Sequence, residues 1–371
     1  MQPGDWVESL FGRIAVPRIA GCEPLRDVET AIGNRLEQSG YSVQFQRFKT
    51  SRRTLTAVTL FGAACGWVAL VLTPFLVIDV SGWPVMLTGI AALALAFLLA
   101  IGIAGGMIPS PASDVAATNI VATGRGGIPR FWLVAHADSK AQRLSLAGRI
   151  LAVGALGTGL TLLTMTLILR AFTPLPWWVA AVPVLITALG GAALSLGAAS
   201  NESPGAVDNA TGVIAALVAA ERLSSRGDVG VLITGAEEFG MAGARAWVGG
   251  ARTQGDFVNF DGLDSCGKYR ITRHGWRGSV SRNRSARVAA AVAAALAGAG
   301  GESARRGLPV GVLVDGVVLS SAGMGGVTVS RGEWRTLRVV HTRDDVAGRV
   351  EIGSAVMAGE AAARAIAGLL G

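Results

Sequence analysis

Apolar positions along the chain fall into two regimes. In the first, Leu55 to Ile78 and, after the break DVSGWP, Val85 to Ile108 run without a charge; Ile150 to Leu169 and Trp177 to Ala199 repeat this around Arg170 and a proline-bearing turn. Each run has the roughly 20 residues an α-helix needs to cross a bilayer core. Four transmembrane helices in two hairpins are expected, with every polar segment on one membrane face.

The second regime alternates. Val28, Ile32 and Leu36 share a helical face, and after a turn at Ser39-Gly40 the stretch YSVQFQRF reads as a strand. TNIVATG and FWLVAHADS read as strands between the hairpins. From Ser200 onward come helix VIAALVAAERL, strand VGVLITG, helix MAGARAWV and strands FVNFDGL and KYRITRHG. An Ala-rich helix SARVAAAVAAALAGAG, a mixed segment with Asp315, strand GVTVSRG, and RVVHTRDD before a terminal helix complete the chain. Such alternation predicts a central sheet covered by helices on both faces. The expected division is 1–53, 110–147 and 200–371 for one catalytic domain, interrupted by hairpins at 54–109 and 148–199.

Composition supports a membrane protein with a soluble part: 51% of residues are hydrophobic and only 16% charged. The net charge of +8 does not point to nucleic acid, because the basic residues are scattered and not interleaved with aromatics. Cys22, Cys65 and Cys266 are far apart and lack CxxC spacing, so neither a disulfide framework nor a thiolate zinc site is indicated, and a reducing compartment fits. The opening residues carry charges throughout and show no secretory signal. Arg47, Lys49, Arg52, Arg53, Lys140, Arg143 and Arg149 flank the helices on the soluble side, whereas the opposite loops hold Arg170 and Asp79. Since Lys and Arg are retained on the cytoplasmic side, a multi-pass protein of the cell membrane with a cytoplasmic catalytic face is expected. Gly62 with Gly66 and Gly102 with Gly106 have small-xxx-small spacing, which admits a helix-mediated homodimer or is ordinary membrane-helix glycine. A transporter is disfavoured, because the spans hold no ionisable group except the Cys65 thiol.

In α/β sheets, functional residues gather past the carboxyl ends of strands. His136 and Asp138, Glu237 and Glu238, Asp261, and His341 after RVV occupy such positions. Asp208 in GAVDNATG stands where a helix begins, as an N-cap or as a ligand. His274 lacks an acidic neighbour and reads as structural. Two His with several carboxylates make a donor set for a pair of zinc ions, with positions left open for water and substrate.

These motifs resemble the M28 family of zinc metallopeptidases, whose pieces stand in order as HADS, GAVDNATG, GAEEFGMAG, NFD and HTRDD. The resemblance extends to PRIAGCEPLRDVETAIGNRLEQSGYSVQFQRF and so covers nearly all soluble segments. It implies a three-layer α/β/α sandwich with a mixed central sheet, into which the four transmembrane helices are inserted as two hairpins. It also implies two zinc ions per chain: His136 and Asp261 on one, Glu238 and His341 on the other, and Asp208 bridging. Glu237 would be the general base toward the attacking water, and Asp138 would fix the imidazole of His136. The expected activity is amide or peptide hydrolysis, aminopeptidase-like. A non-peptidase amidohydrolase on an amphipathic or lipid-linked substrate is the alternative, and a catalytically dead membrane scaffold the alternative of another class. Only Tyr41 and Tyr269 are available as oxyanion donors, so that role is not evident.

GLDSCGKY approaches a phosphate-binding loop but ends in Tyr where Ser or Thr must hold magnesium, and HExxH and GxSxG are absent. Eight residues separate Ser200 from Asp208. At about 3.3–3.6 Å per residue the bridging carboxylate lies within roughly 30 Å of the membrane, so a site opening near the bilayer is expected.

Overall fold

The computed structural model describes residues 3–77, 82–104, 107, 114–124, 128–250, 254–275, 279–308 and 312–371. Asp79 and Gly106 lie outside the described residues. The chain starts with two amphipathic helices, α1 (Pro3–Ile14) and α2 (Glu23–Gln38), and strand β1 (Ser42–Ser51). The sequence pattern predicts only the second of these helices. Apolar helices α3 (Arg53–Val77) and α4 (Gly82–Ala104) separate β1 from β2 (Asp114–Thr123). After β3 (Phe131–His136) and β4 (Ala141–Gln142), α5 (Leu146–Phe172) and α6 (Trp177–Ser195) form the second hairpin. The remainder alternates: β5 (Ala199–Ser200), α7 (Thr211–Arg222), β6 (Val229–Thr234), α8 (Ala242–Gly250), β7 (Asp256–Leu263) and β8 (Tyr269–Arg273). Helix α9 (Val280–Gly298), β9 (Ser303–Arg305), α10 (Asp315–Ser321), β10 (Gly325–Arg331), α11 (Trp334–Val339) and α12 (Gly353–Leu370) complete it.

Among the described residues, eight strands form one mixed sheet in the order β1-β2-β6-β3-β7-β10-β8-β9. Its centre, β6-β3-β7-β10, is parallel. These central strands bury both faces, which is why FWLVAH and VGVLIT read as continuous apolar runs. Alternate residues serve opposite layers. Phe131, Leu133 and Ala135 join the core under α7, α9 and α12, while Trp132 and Val134 join a second cluster with Trp247 and Leu319 from α8 and α10. Small residues let α7 and α12 approach closely, since a methyl on Gly359 would overlap the Ala215 carbonyl.

Both hairpins leave from paired necks. Ser51 pairs with Asp114 across the first, and Ala141 with Ser200 across the second. All four helices are long and apolar enough to cross a membrane. They pack as a bundle in which α6 lies against α3 and α5, and α4 against the same two. Large apolar side chains such as Trp67, Leu87, Leu98, Leu151 and Leu189 stay exposed on its outside. A methyl on Gly191 of α6 would overlap the backbone of Gly62 and Gly66. The small-xxx-small pair on α3 is therefore used within the chain, which removes that pair as an argument for a dimer.

Candidate metal centre

The parallel register sets the first half of the site. Phe131 of β3 pairs with Asp256 of β7, so His136 and Asp261 stand at one level at the carboxyl ends of adjacent strands. His136 Nδ1 lies 3.1 Å from the Asp138 carbonyl, which can only accept. The ring therefore carries a hydrogen on Nδ1, and Nε2 faces Asp208 Oδ1 at 3.0 Å and Asp261 Oδ1 at 4.0 Å. In the second half, His341 Nε2 stands 3.2 Å from both Asp208 Oδ2 and Glu238 Oε1. Two donor groups result, His136–Asp208–Asp261 and Asp208–Glu238–His341, and they share Asp208. The expectation that His341 ends a strand is corrected: it comes after the short helix α11, at a left-handed φ of 66°. Its carbonyl accepts from Gln142 N at 2.8 Å, which straps the turn to the neck of the second hairpin.

Asp208 does not cap α7. Asn209 Oδ1 instead accepts from Gly212 N, leaving the Asp208 carboxylate between the two imidazoles. The turn that carries it is held from outside. Asp345, the last residue of HTRDD, accepts from Val207 N at 2.7 Å and Asp208 N at 3.1 Å. Arg18 is fully buried and donates to the carbonyls of Ala137, Pro204 and Gly205, tying the loop after β3 to the loop before Asp208.

Asp138 meets the His136 imidazole with its backbone carbonyl, and its carboxylate has other partners. That carboxylate is 3.8 Å from the ring, and its two oxygens accept from Glu237 N at 3.0 Å and Glu238 N at 3.2 Å. The backbone carbonyl of Asp138 orients the imidazole, and the side chain shapes the turn of the two glutamates. Ala236 at φ 54° and Gly240 at φ 84° bend the chain on either side of that turn.

Electrostatics favour a cation. Burial pushes Glu237 well above the usual carboxylate range, and Asp315 and Glu238 beside it push further against the pull of His136. Burial likewise raises Asp261 to about 7. Burial opposes charge on His136, yet its contact with Asp208 and the nearby Glu237 and Asp261 hold it well above the ordinary imidazole value. Asp208 Oδ1 and Glu238 Oε1 are buried and accept no well-directed hydrogen bond. Imidazole nitrogens facing orphaned carboxylate oxygens, on a concave surface, fit divalent zinc in chemistry and in number.

Two further buried groups were missed because neither lies in a motif with an intrinsic signal. Lys140, counted from sequence among the membrane-flanking cations, forms a 2.6 Å ion pair with Glu238 Oε2. Asp315 accepts from Thr234 Oγ1 at 2.5 Å behind Glu237. His274 is structural as expected, buried with Nε2 2.8 Å from Thr328 Oγ1. Tyr41 and Tyr269 donate to the Ala220 and Ser354 carbonyls in the core, away from the site.

The cleft over the donors is walled by Thr54, Leu55 and Val58 of α3, Leu146 and Arg149 of α5, and Met241, Val312 and Leu313. Arg52 at the root of α3 lies 5.2 Å from the ring centre of Phe239, next to Glu238.

No curated protein matches the sequence. Among solved structures, the fold is similar to a zinc aminopeptidase from Bacillus subtilis, with 15% identity, a TM-score of 0.56, and 98% of this chain and 94% of that one covered. It is similar to a glutaminyl cyclase from Porphyromonas gingivalis at 14% identity and a TM-score of 0.56, covering 98% of each chain. A Zn-dependent exopeptidase from Parabacteroides distasonis gives 12% identity and a TM-score of 0.53 over 97% of each chain. The model described as Peptidase family M28 matches residues 193–366, the stretch that carries Asp208, Glu237, Glu238, Asp261 and His341. Sheet order and strand-end positions agree with this match: residues 193–366, just under half of the chain, are similar in sequence to peptidase family M28, and the whole chain shares the fold of zinc aminopeptidases and glutaminyl cyclases.

Proposed function

We propose that the chain is a membrane-bound di-zinc hydrolase that cleaves a peptide or other amide bond, aminopeptidase-like. The observation that carries this is the pair of three-residue donor groups sharing Asp208, with the Glu237 carboxyl in the same cleft. His136 and Asp261 would hold one zinc, Glu238 and His341 the other, and Asp208 both. Bound zinc supplies Lewis acidity toward water and the scissile carbonyl. The Glu237 carboxylate forms no ion pair with these donors among the described residues and takes the proton from the attacking water, then returns it to the leaving amine. Its raised pKa suits that return. Asp138 keeps the glutamate turn in place through its two backbone hydrogen bonds.

One observation favours an amphipathic substrate. The first turns of α3 and α5 form one wall of the cleft, so a substrate resting in a bilayer reaches the site without leaving the membrane surface. Membrane insertion of the four helices is supported by Trp83, Trp177, Trp178 and Phe172 gathered at their distal ends, where aromatic side chains favour an interface. The basic flanks support a cytoplasmic orientation of the site, because Lys and Arg are retained on that side. Scattered basic residues give no reason for a nucleic-acid partner.

Zinc titration of the purified chain, followed by elemental analysis, tests the reading. Saturation at two zinc per chain and release of amine from peptide or fatty-acyl amide substrates are expected. A chain that binds no zinc is a scaffold, and cyclisation of an amino-terminal glutaminyl peptide without hydrolysis would move the reaction to that of the cyclases.

A further inference from the structure

The two donor groups differ in their cationic neighbours. Among the described residues no Lys or Arg pairs with Asp261, whose nearest basic group is His136 Nε2 at 4.0 Å, whereas Glu238 Oε2 is already engaged by Lys140 Nζ at 2.6 Å. Both side chains are 4% exposed, so this pair is shielded from water and the ammonium cannot leave without losing its only short ionic contact among the described residues. Lys140 also donates to the Glu238 carbonyl at 3.4 Å. It is anchored at both ends of the ligand residue, from the neck segment between β3 and β4.

Resting on the reading that the site holds zinc, we propose that Lys140 makes the two metal positions unequal: His136–Asp208–Asp261 binds tightly, and Asp208–Glu238–His341 binds weakly and exchanges. The reason is charge and valence. Counting the shared Asp208 in each, both groups offer two carboxylates and one imidazole, but the second carries the Lys140 charge as well. A cation arriving there meets a fixed ammonium in a medium of low polarity, where like charges repel strongly. It also finds only Glu238 Oε1 unengaged by Lys140, so bidentate coordination is closed. Lys140 lines the cleft but acts on the metal position through Glu238, as a positioning residue. The chain thus keeps one zinc firmly while occupancy of the second tracks the free zinc concentration.

The test is competition between the full-length protein in detergent and a colorimetric zinc chelator, with zinc per chain read directly. Wild-type protein is expected to show two dissociation constants at least about a hundredfold apart. Lys140→Met, which keeps the stem and removes the charge, should tighten the weaker constant by about tenfold or more and leave the tighter one unchanged; Lys140→Arg should retain the wild-type gap. Two equal constants in wild type, or a gap unchanged in Lys140→Met, overturn the proposal while leaving the zinc site itself in place. No zinc uptake by any variant overturns the zinc reading and the proposal with it. If Lys140→Met does not fold, Lys140→Gln takes its place with the same expected outcomes.

Discussion

Glu237 and Glu238 are adjacent, both buried, and driven to opposite states. Burial raises both, but Glu238 faces His341 and Lys140 and falls to about 2, while Glu237 faces the carboxylates of Asp315 and Glu238 and rises. One stays an anion and suits a ligand; the other holds a proton readily and suits a base. Glu237→Ala should lower turnover by at least about a hundredfold, the scale of general-base contributions, with zinc content unchanged. His274 offers a control outside the two donor groups. Burial, with Arg282 nearby, lowers its pKa from 6.5 to about 4. Between those values the unfolded chain binds a proton that the folded chain does not. Its contribution is therefore complete above pH 6.5 and lost as pH falls toward 4, a change of about 3 kcal/mol. A His274→Gln variant should show a flatter dependence of melting temperature on pH across that interval.

At the scale of elements, the site is a set of turns held by buried polar residues. Asp138 is the clearest case, and Asp138→Ala leaves the Glu237 and Glu238 amides without their acceptor. Each unsatisfied buried amide costs about 1–3 kcal/mol, so a drop of several degrees in melting temperature and looser zinc binding are expected, measured by thermal denaturation and chelator competition. The strand ends that carry His136, Glu238 and Asp261 were legible because buried parallel strands announce themselves as apolar runs, and the residues just past such a run sit at the sheet's carboxyl edge. RVV before His341 misled for the same reason: three apolar residues fit a strand or the end of a short helix equally well. Lys140, Arg18 and the Asp138 side chain were illegible in role because their partners are backbone groups or side chains roughly a hundred or more positions away in most cases, a relation that periodicity does not encode. Glycine spacing on α3 showed that something packs closely there but not what; the partner is Gly191 of the same chain. Gly191→Leu should therefore separate α3 from α6 and lower thermal stability in detergent by about 1–3 kcal/mol, the usual cost of overpacking.

For the whole molecule, the consequence is a cleft built against its own bundle of four long apolar helices. Both hairpins emerge from paired necks next to the site, and the roots of α3 and α5 supply its wall. Orientation is open to a direct measurement, because Cys266 is exposed whereas Cys65 is buried in the bundle. A membrane-impermeant maleimide should label Cys266 in inverted vesicles and not in intact cells; the reverse pattern would put the cleft outside. The deciding measurement is amine release from a panel of aminoacyl and fatty-acyl amides by the zinc-loaded protein in nanodiscs, beside Glu237→Ala carrying the same zinc. Turnover by the native chain and its loss in the variant is the expected result. Undiminished turnover by Glu237→Ala, or none by the zinc-loaded native chain on any amide, would contradict hydrolysis by this site.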